Sequence, residues 1–208
     1  TIIGAKSGWN NPANWLSALM SGITAFLFSK NYPEWLVLET GIDRQGDMER
    51  FTNWIKPDVA VLTRLPTIPV HVEFFPSPQA VIDEKLKLVA ALDKEGKLVF
   101  NNDDDILIKQ KENAPTKNIT TYGFLYGSDI QANHYEIFYE KIVGTIVGTM
   151  VPTKIPDGIL LKIGIGGSTI PLKIKNCIGR QHAYAVLAGF AVGSALGISP
   201  TDLTEALS

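Results

Sequence analysis

The sequence predicts an α/β fold, with a mostly parallel sheet flanked by helices and a small antiparallel β region. Between Trp35 and Asn101, short apolar runs alternate with segments whose apolar residues recur at helical spacing, as in successive βαβ units. Between Ile119 and Lys175, runs of β-branched residues are separated by glycines, which is typical of antiparallel hairpins. With 208 residues, 45% of them hydrophobic, the chain is long enough to bury one large core.

The alternating part predicts three strands and two helices. The strands are the apolar runs at 36–38, 59–62 and 98–100. One helix runs from about Gly46 to Ile55 and ends before Pro57, because proline disfavours helical geometry in the residue that precedes it. The second helix runs from Pro78 to Asp93. Because helical crossovers lie on the faces of a parallel sheet, we expect this sheet to be covered on both sides.

Helices are also predicted near both ends of the chain. One runs from Trp15 to Phe28, and Asn11 is placed to cap it ahead of a proline. The last segment is apolar at helical spacing from His182 to Leu196 and again from Thr201 to Leu207. We expect it to pack back on the sheet.

The glycine-rich stretch Gly164-Ile165-Gly166-Gly167 is similar in composition to a phosphate loop. A phosphate loop opens a helix, whereas this stretch lies between two strand-like runs, 159–165 and 169–174. The context therefore predicts a hairpin turn.

Composition excludes several classes of protein. The 19 basic and 21 acidic side chains give a net charge of −2 without basic runs, so nothing marks a surface for nucleic acid. Cys177 is the only cysteine, which excludes an internal disulfide and fits a reducing, cytoplasmic compartment. The apolar stretch Ala183–Ile198 is shorter than the roughly 20 residues that span a bilayer, so we expect no membrane insertion. Thr1 is not an initiator methionine, and we expect the chain to be a piece of a longer protein.

Polar residues follow the predicted strands, at the edge where open α/β sheets bind ligands. Glu39 follows the first strand, His71 follows the second, Lys85 lies on the next helix, and a polar run at 101–105 follows the third strand. Each has an ordinary structural alternative: an exposed glutamate, a structural histidine, a lysine whose stem lies along its helix, and a turn. Convergence at one sheet edge is what would favour a functional site.

Taken in order, these residues resemble the ATP-dependent Mur ligases of peptidoglycan synthesis, over nearly the whole chain. The matching pieces are Asn10-Asn11, Leu38-Glu39-Thr40-Gly41 with Gly46-Asp47, Lys56-Pro57-Asp58, Thr63, His71-Val72-Glu73-Phe74-Phe75 with Lys85, Asn101-x-Asp103-Asp104, and Gly179-Arg180. The similarity is greatest to the branch of the family that adds D-alanyl-D-alanine to UDP-N-acetylmuramoyl-tripeptide.

The resemblance implies a nucleotide-binding middle domain of the P-loop type that uses ATP and Mg²⁺. Glu39 and His71 would be metal ligands, and Lys85 would be carbamylated by carbon dioxide. A carbamate replaces a cation by an oxygen-bearing anion, and oxygen ligands are those that Mg²⁺ prefers. In the family reaction, the γ-phosphoryl group of ATP passes to a substrate carboxylate, and an amine attacks the resulting acyl phosphate to form an amide.

The resemblance also implies where the other ligands bind. Asn101, Asp103, Arg180 and His182 match the positions at the adenine and ribose, and Asn10 and Asn11 match positions near the UDP-sugar substrate. The family's His-Asn-x-x-Asn pattern reads Gln181-His182-x-x-Ala185 in this chain. The family's phosphate loop would precede Thr1 and its C-terminal domain would follow Ser208, so we expect this chain alone to bind ATP weakly and to be inactive.

Two other interpretations stay open. One is a sister ligase with the same middle domain: a diaminopimelate- or lysine-adding enzyme, a folylpolyglutamate synthase or a cyanophycin synthetase. The other is a non-catalytic, Mur-like binding module, suggested by the altered pattern at residues 181–185. The spacing of Glu39, His71 and Lys85 favours an enzyme, because a scaffold has no need for it.

Overall fold

A computed structural model describes residues 11–28, 34–67, 72–146 and 149–207. The helices in these ranges are α1 (Pro12–Phe28), α2 (Asp47–Trp54), α3 (Pro78–Ala90), α4 (Asp105–Ile108), α5 (Arg180–Ala195) and α6 (Pro200–Leu207). The strands are β1 (Val59–Leu62), β2 (Lys97–Asn101), β3 (Asn118–Gly123), β4 (Ile130–Ile146), β5 (Thr149–Ile165) and β6 (Ser168–Lys175). Short 3-10 helices lie at Val72–Phe74 and Lys111–Asn113. The chain divides after Gly41 into two units, and each is described by itself.

The strands form one mixed sheet in the order β1-β2-β3-β4-β5-β6. The pairs β1–β2, β2–β3 and β3–β4 are parallel, whereas β4–β5 and β5–β6 are antiparallel. The predicted fold class, a mostly parallel α/β sheet with an antiparallel region, is therefore confirmed.

The antiparallel region is shorter than the sequence suggests. Residues from Ile119 to Lys175 were expected to form hairpins, but the first strand in that range, β3, runs parallel to β2. The reason is the connection between the two strands, where α4 and the 3-10 helix at Lys111–Asn113 return the chain to the opposite end of the sheet. The hairpins begin only with β4.

The first predicted strand, at 36–38, is wrong. No strand is assigned between residues 34 and 42, and Trp35 and Val37 are 62% and 94% exposed. A run of three apolar residues becomes a strand only when a neighbouring strand pairs with it and one face is buried. Glu39 therefore does not end a strand, and the sheet-edge argument for this residue fails.

Both faces of the parallel part are covered, as predicted. Consecutive residues of β2 point to opposite faces, and all of Leu98, Val99 and Phe100 are fully buried. Leu98 and Phe100 pack in one core with Ile82 and Val89 of α3. Val99 packs in another core with buried residues of the C-terminal helices: Ala183, Leu187 and Phe190 of α5 and Leu203 of α6.

The other predicted elements are present with small shifts of their ends. The amide of Ala13 donates to the Asn11 side chain at 2.9 Å, so Asn11 caps α1 as expected. Gly166 and Gly167 form the two-residue turn between β5 and β6, with φ values of 53° and 82°. Positive φ at both central positions is the type I′ geometry that favours glycine. No helix within the described ranges is long and apolar enough to cross a membrane.

Candidate functional site

The structure brings three of the predicted site residues together at the carboxyl ends of the parallel strands. Asn101 is the last residue of β2, Asp103 lies in the loop that follows it, and Arg180 begins α5. Asp103 and Arg180 both contact Phe124, the first residue after β3. This edge is where open α/β sheets bind ligands.

Asn101 ties the end of β1 to the end of β2. Its side chain is buried; Nδ2 donates to the carbonyl oxygen of Thr63 at 3.1 Å, and Oδ1 accepts from the amide of Asp103 at 2.9 Å. Because both ends of the side-chain amide are engaged within the protein, Asn101 acts on this site by shaping the loop that carries Asp103.

Asp104 also joins the loops that follow β1 and β2. One carboxylate oxygen accepts from the amide of Leu65 at 2.8 Å, and the other accepts from the amides of Ile106 and Leu107 at 3.0 and 3.1 Å. The side chain thus caps α4 and holds the loop after β1 against the loop after β2.

Asp103 accepts hydrogen bonds from the residues that follow β3 and from α5. Its carboxylate accepts hydrogen bonds from the amides of Phe124 and Leu125 at 2.7 and 2.8 Å, and from the hydroxyl group of Tyr184 at 2.7 Å. A Cβ atom at position 123 would overlap the Asp103 carboxylate, so any residue other than glycine there would displace the carboxylate from its hydrogen bonds. Asp103 therefore joins the ends of β2 and β3 to α5.

The hydroxyl group of Tyr184 stays protonated at neutral pH. Burial raises its pKa, and the hydrogen bond to Asp103 raises it further. The positive charges of Arg180 and Arg64 oppose this effect, and the resulting pKa is about 12. Tyr184 is consequently a permanent donor to Asp103 under physiological conditions.

Arg180 lies over the ring of Phe124, with its guanidinium carbon 4.1 Å from the ring centroid. The rings of Tyr135 and Tyr184 contact the same phenylalanine edge-on, at centroid distances of 6.3 and 5.1 Å. Edge-to-face contacts fix the orientation of an aromatic ring, and a guanidinium group stacks favourably on its face. The Arg180 side chain is exposed, so a positively charged, planar group faces solvent at the amino end of α5.

The two residues after Arg180 do not join this cluster through described side-chain contacts. The amide of Gln181 turns back and donates to the carbonyl of Ile178 at 3.4 Å. His182 is exposed, and its backbone amide donates to Gly179 at 3.2 Å. Gly179 has φ of 107°, which favours glycine where the chain enters α5.

The remaining predicted site residues fall in different parts of the chain, and each described one is placed within its own unit. Lys85 lies on α3 and is half-buried, and Glu39 is exposed in the unit that ends at Gly41. Asn11 is engaged in capping α1. His71 and Asn10 lie outside the described residues. Among the residues the structure describes, no group of three or more His, Cys, Asp or Glu side chains is placed to hold a metal ion.

Glu84, next to Lys85, is a charged residue that the sequence reasoning missed. It is only 2% exposed; Oε1 accepts from the amide of Met48 at 3.0 Å, and Oε2 pairs with Nζ of Lys87 at 2.9 Å. Burial works to raise its pKa, but the hydrogen bonds from Lys87 and from the start of α2 outweigh burial and hold the pKa below its ordinary value. The burial of Glu84 could have been predicted, because it follows Val81 by three residues and therefore lies on the same, buried face of the helix.

Two open cavities lie elsewhere on the second unit. One, of about 440 Å³, is lined by the β3–β4 loop, the start of β4 and the β5–β6 turn, including Ser128, Asn133 and Gly166. The other, of about 780 Å³, lies between β6 and α6 and includes Ile170 and Thr204. Asn101, Asp103, Phe124, Arg180 and Tyr184 form what we call the strand-end cluster. Neither cavity is lined by any of these residues.

Comparison with known proteins identifies the family. The Mur ligase middle domain matches residues 4–192. The UDP-N-acetylmuramoyl-tripeptide--D-alanyl-D-alanine ligase of Bacillus subtilis (strain 168) is 25% identical over 173 residues, covering 83% of this chain and 32% of the relative. The chain thus spans about a third of the length of that relative.

Solved structures share the fold. The crystal structure I of MurF from Acinetobacter baumannii aligns with a TM-score of 0.69 at 18% identity, covering 98% of this chain and 38% of the other. The MurF ligase of Thermotoga maritima, solved in complex with ADP, aligns with a TM-score of 0.60 at 20% identity, covering 78% of this chain and 33% of the other. Because the matched region takes in most of this sequence, the chain belongs to the Mur ligase middle-domain family.

Proposed function

We propose that this chain is the nucleotide-binding middle domain of an ATP-dependent amide ligase that adds D-alanyl-D-alanine to UDP-N-acetylmuramoyl-tripeptide in peptidoglycan precursor synthesis. The observation that carries the proposal is the exposed Arg180 guanidinium at the carboxyl edge of the parallel strands, held on Phe124 beside Asp103. The family match supports the reaction class, and the similarity to the Bacillus subtilis ligase supports these substrates. The single cysteine of this chain is consistent with a reducing compartment, and we propose that the protein is cytoplasmic.

The strand-end cluster suits the adenosine part of ATP. The exposed guanidinium of Arg180 offers N–H donors and a flat face on which a base can stack. Asn101 and Asp103 position this guanidinium indirectly: Asn101 holds the loop that carries Asp103, and Asp103 accepts from the amide of Phe124, on whose ring Arg180 stacks. His182 is exposed one turn into α5 and is available to the same nucleotide.

The proposed metal ligands are chemically suited to Mg²⁺. Glu39 presents an exposed carboxylate, and His71 completes the proposed set together with a carbamate on Lys85. Among the described residues Lys85 forms no ion pair, unlike Lys87 on the same helix, which is bound to Glu84 and Glu49. Lys85 is therefore the helix lysine whose amine is open to modification. Bound Mg²⁺ would neutralise charge on the transferring phosphoryl group.

The proposed reaction has two steps. The carboxylate of the UDP-linked peptide attacks the γ-phosphorus of ATP, which releases ADP and leaves an acyl phosphate. The amine of D-alanyl-D-alanine then attacks the acyl carbon, releases phosphate and forms the amide. In this scheme, the residues of the chain hold and orient the reactants, which is the main source of catalysis in phosphoryl transfer. Asn10 and Asn11 are proposed to lie near the UDP-sugar.

A different amine acceptor is the second candidate. The chain also shares its fold with the UDP-N-acetylmuramoyl-L-alanyl-D-glutamate--2,6-diaminopimelate ligase (TM-score 0.58, 16% identity) and with a pseudomurein peptide ligase type C from Methanothermus fervidus (0.54, 17%). A fold shared among ligases with different acceptors does not select the acceptor, which only a comparison of substrates can do.

The test is ATP-dependent ligation by the full-length protein. Phosphate release and product mass should show ligation with UDP-N-acetylmuramoyl-tripeptide and D-alanyl-D-alanine. Faster turnover when each sister ligase's own UDP-peptide and amine are supplied would replace the substrate assignment and keep the reaction class. No phosphate release with any of these pairs would overturn the proposal in favour of a non-catalytic binding module.

Variants of Lys85 test the chemistry more closely. Lys85→Arg keeps the positive charge but cannot form the carbamate, so it should lower kcat about 100-fold or more, as Lys85→Ala should. Lys94→Ala, at an exposed position just after α3, is the matched control and should keep normal activity. After incubation with ¹³C-bicarbonate, a carbamate signal should appear in the unmodified protein and vanish in Lys85→Arg. Full activity of Lys85→Arg would remove the carbamate from the mechanism.

A further inference from the structure

We propose that Tyr184 is a positioning residue for nucleotide binding, whose hydroxyl group holds Asp103 against α5 so that the Arg180 guanidinium stays stacked on Phe124. The inference rests on the proposed function, because the stacked guanidinium matters only if a nucleotide binds there. Neither composition nor the family resemblance assigns a role to this tyrosine.

Helix geometry places Arg180 and Tyr184 side by side. They are four residues apart on α5, so their side chains lie on the same face of the helix. Both contact the ring of Phe124, Arg180 over its face and Tyr184 edge-on at 5.1 Å. Displacement of Tyr184 therefore moves the surface on which Arg180 rests.

A closed circuit of contacts passes through Tyr184. Its hydroxyl group donates to Asp103, Asp103 accepts from the amide of Phe124, and the Phe124 ring packs against the Tyr184 ring. Residues 103 and 184 are 81 positions apart in the sequence, and their hydrogen bond joins α5 to the strand-end loops. Tyr184→Phe deletes the hydroxyl group and no ring, so it opens the circuit at the bond to Asp103 alone.

The charges in the cluster leave Arg180 available to a ligand. Asp103 is occupied by two backbone amides and the Tyr184 hydroxyl group. None of the ion pairs among the described residues includes Arg180. The guanidinium N–H groups therefore remain free for the phosphate, ribose or base of a nucleoside triphosphate. The amino end of α5 adds favourable potential for an anion.

The first test is Tyr184→Phe in the full-length protein. Loss of a hydrogen bond to a carboxylate should raise the KM and Kd for ATP about tenfold, while kcat stays within about twofold. The KM for the amine acceptor should not change. Tyr139→Phe, the same deletion at a half-exposed ring on β4, is the matched control and should leave all constants unchanged.

A double-mutant cycle with Arg180→Ala tests whether Tyr184 acts through Arg180. If it does, Tyr184→Phe should add little to the loss already caused by Arg180→Ala. A further tenfold loss in the Arg180→Ala background would show that the hydroxyl group acts by another route and would overturn the inference. If Tyr184→Phe fails to fold, Asp103→Asn provides the measurement, because its NH2 group replaces one of the two accepting oxygens; it should raise the KM for ATP, and an unchanged KM would overturn the inference.

The outcomes separate this inference from the proposed function. If the unmodified protein neither binds ATP nor ligates, both fall together. If it binds ATP and ligates but Tyr184→Phe has the normal KM, the inference alone is wrong.

Discussion

The buried carboxylate of Glu84 on α3 accepts a hydrogen bond from the amide of Met48 at the start of α2, at 3.0 Å. The same carboxylate pairs with Lys87, one turn further along α3, which also reaches Glu49 of α2 at 3.4 Å. One side chain therefore satisfies a helix terminus and fixes the packing of two helices. Lys85, one of the proposed site residues, directly follows Glu84 in the sequence, so the packing that Glu84 fixes also positions the backbone of Lys85.

Replacement of Glu84 should destabilise the fold. Glu84→Ala leaves the Met48 amide without its acceptor and removes one of the two carboxylates that pair with Lys87, so we expect the free energy of unfolding to fall by about 2–3 kcal/mol. Glu84→Gln keeps the shape and one acceptor and should cost about half as much. Urea unfolding followed by circular dichroism measures both. Asp83→Ala, at the adjacent exposed position, is the control and should change stability by less than about 0.5 kcal/mol.

Stability should fall in acid because of two carboxylates: that of Asp47, at the start of α2, and that of Glu84 on α3, which accepts from the Met48 amide. Hydrogen bonds from the amides of Arg44 and Asp43 lower the pKa of Asp47, and the pKa of Glu84 is also lowered. For each, the folded state binds protons less readily than the unfolded state, so the stabilisation is complete above the ordinary pKa. For Glu84 it should decline below pH 4.5 and be lost once the pH passes below the folded-state pKa.

The measurement is the unfolding free energy of the unmodified protein and of Glu84→Gln at pH 7, 4.5 and 3. The difference between them should be constant from pH 7 to about pH 5 and should shrink by pH 3, because the glutamate takes up its proton more readily in the unfolded state than in the folded state. A difference of the same size at pH 3 would contradict the lowered pKa.

The elements predicted correctly are those whose signal is local. Helix α3 has apolar residues at helical spacing, and the hairpin turn at Gly166 and Gly167 was predicted from glycines between two strand-like runs. The run at 36–38 has the same local signal as β1, yet β1 pairs with β2 and 36–38 is not a strand. Pairing depends on residues far away in the sequence, so propensity alone could not separate the two.

The residues of the cluster at the strand ends could be named from the sequence, but their arrangement could not. The resemblance pointed to Asn101, Asp103 and Arg180, which the structure places at one sheet edge. It did not show that Asn101 and Asp103 are engaged by the protein itself, nor that Tyr184 closes the cluster from 81 residues away. Such roles depend on hydrogen bonds between distant segments, which have no periodic pattern in the sequence.

Two glycines on α5 should respond in opposite directions to the same substitution. Gly189 is exposed in the middle of the helix with no atom within 4 Å of an added Cβ, so Gly189→Ala should stabilise the protein by about 0.5–1 kcal/mol. Gly193 is buried, and a Cβ there would overlap the side chain of Leu203 on α6. Gly193→Ala should therefore destabilise by about 1–2 kcal/mol, because Leu203 is itself buried and must shift to make room. Urea unfolding of the two variants measures the contrast, and equal stabilisation by both would contradict the packing of α6 against α5.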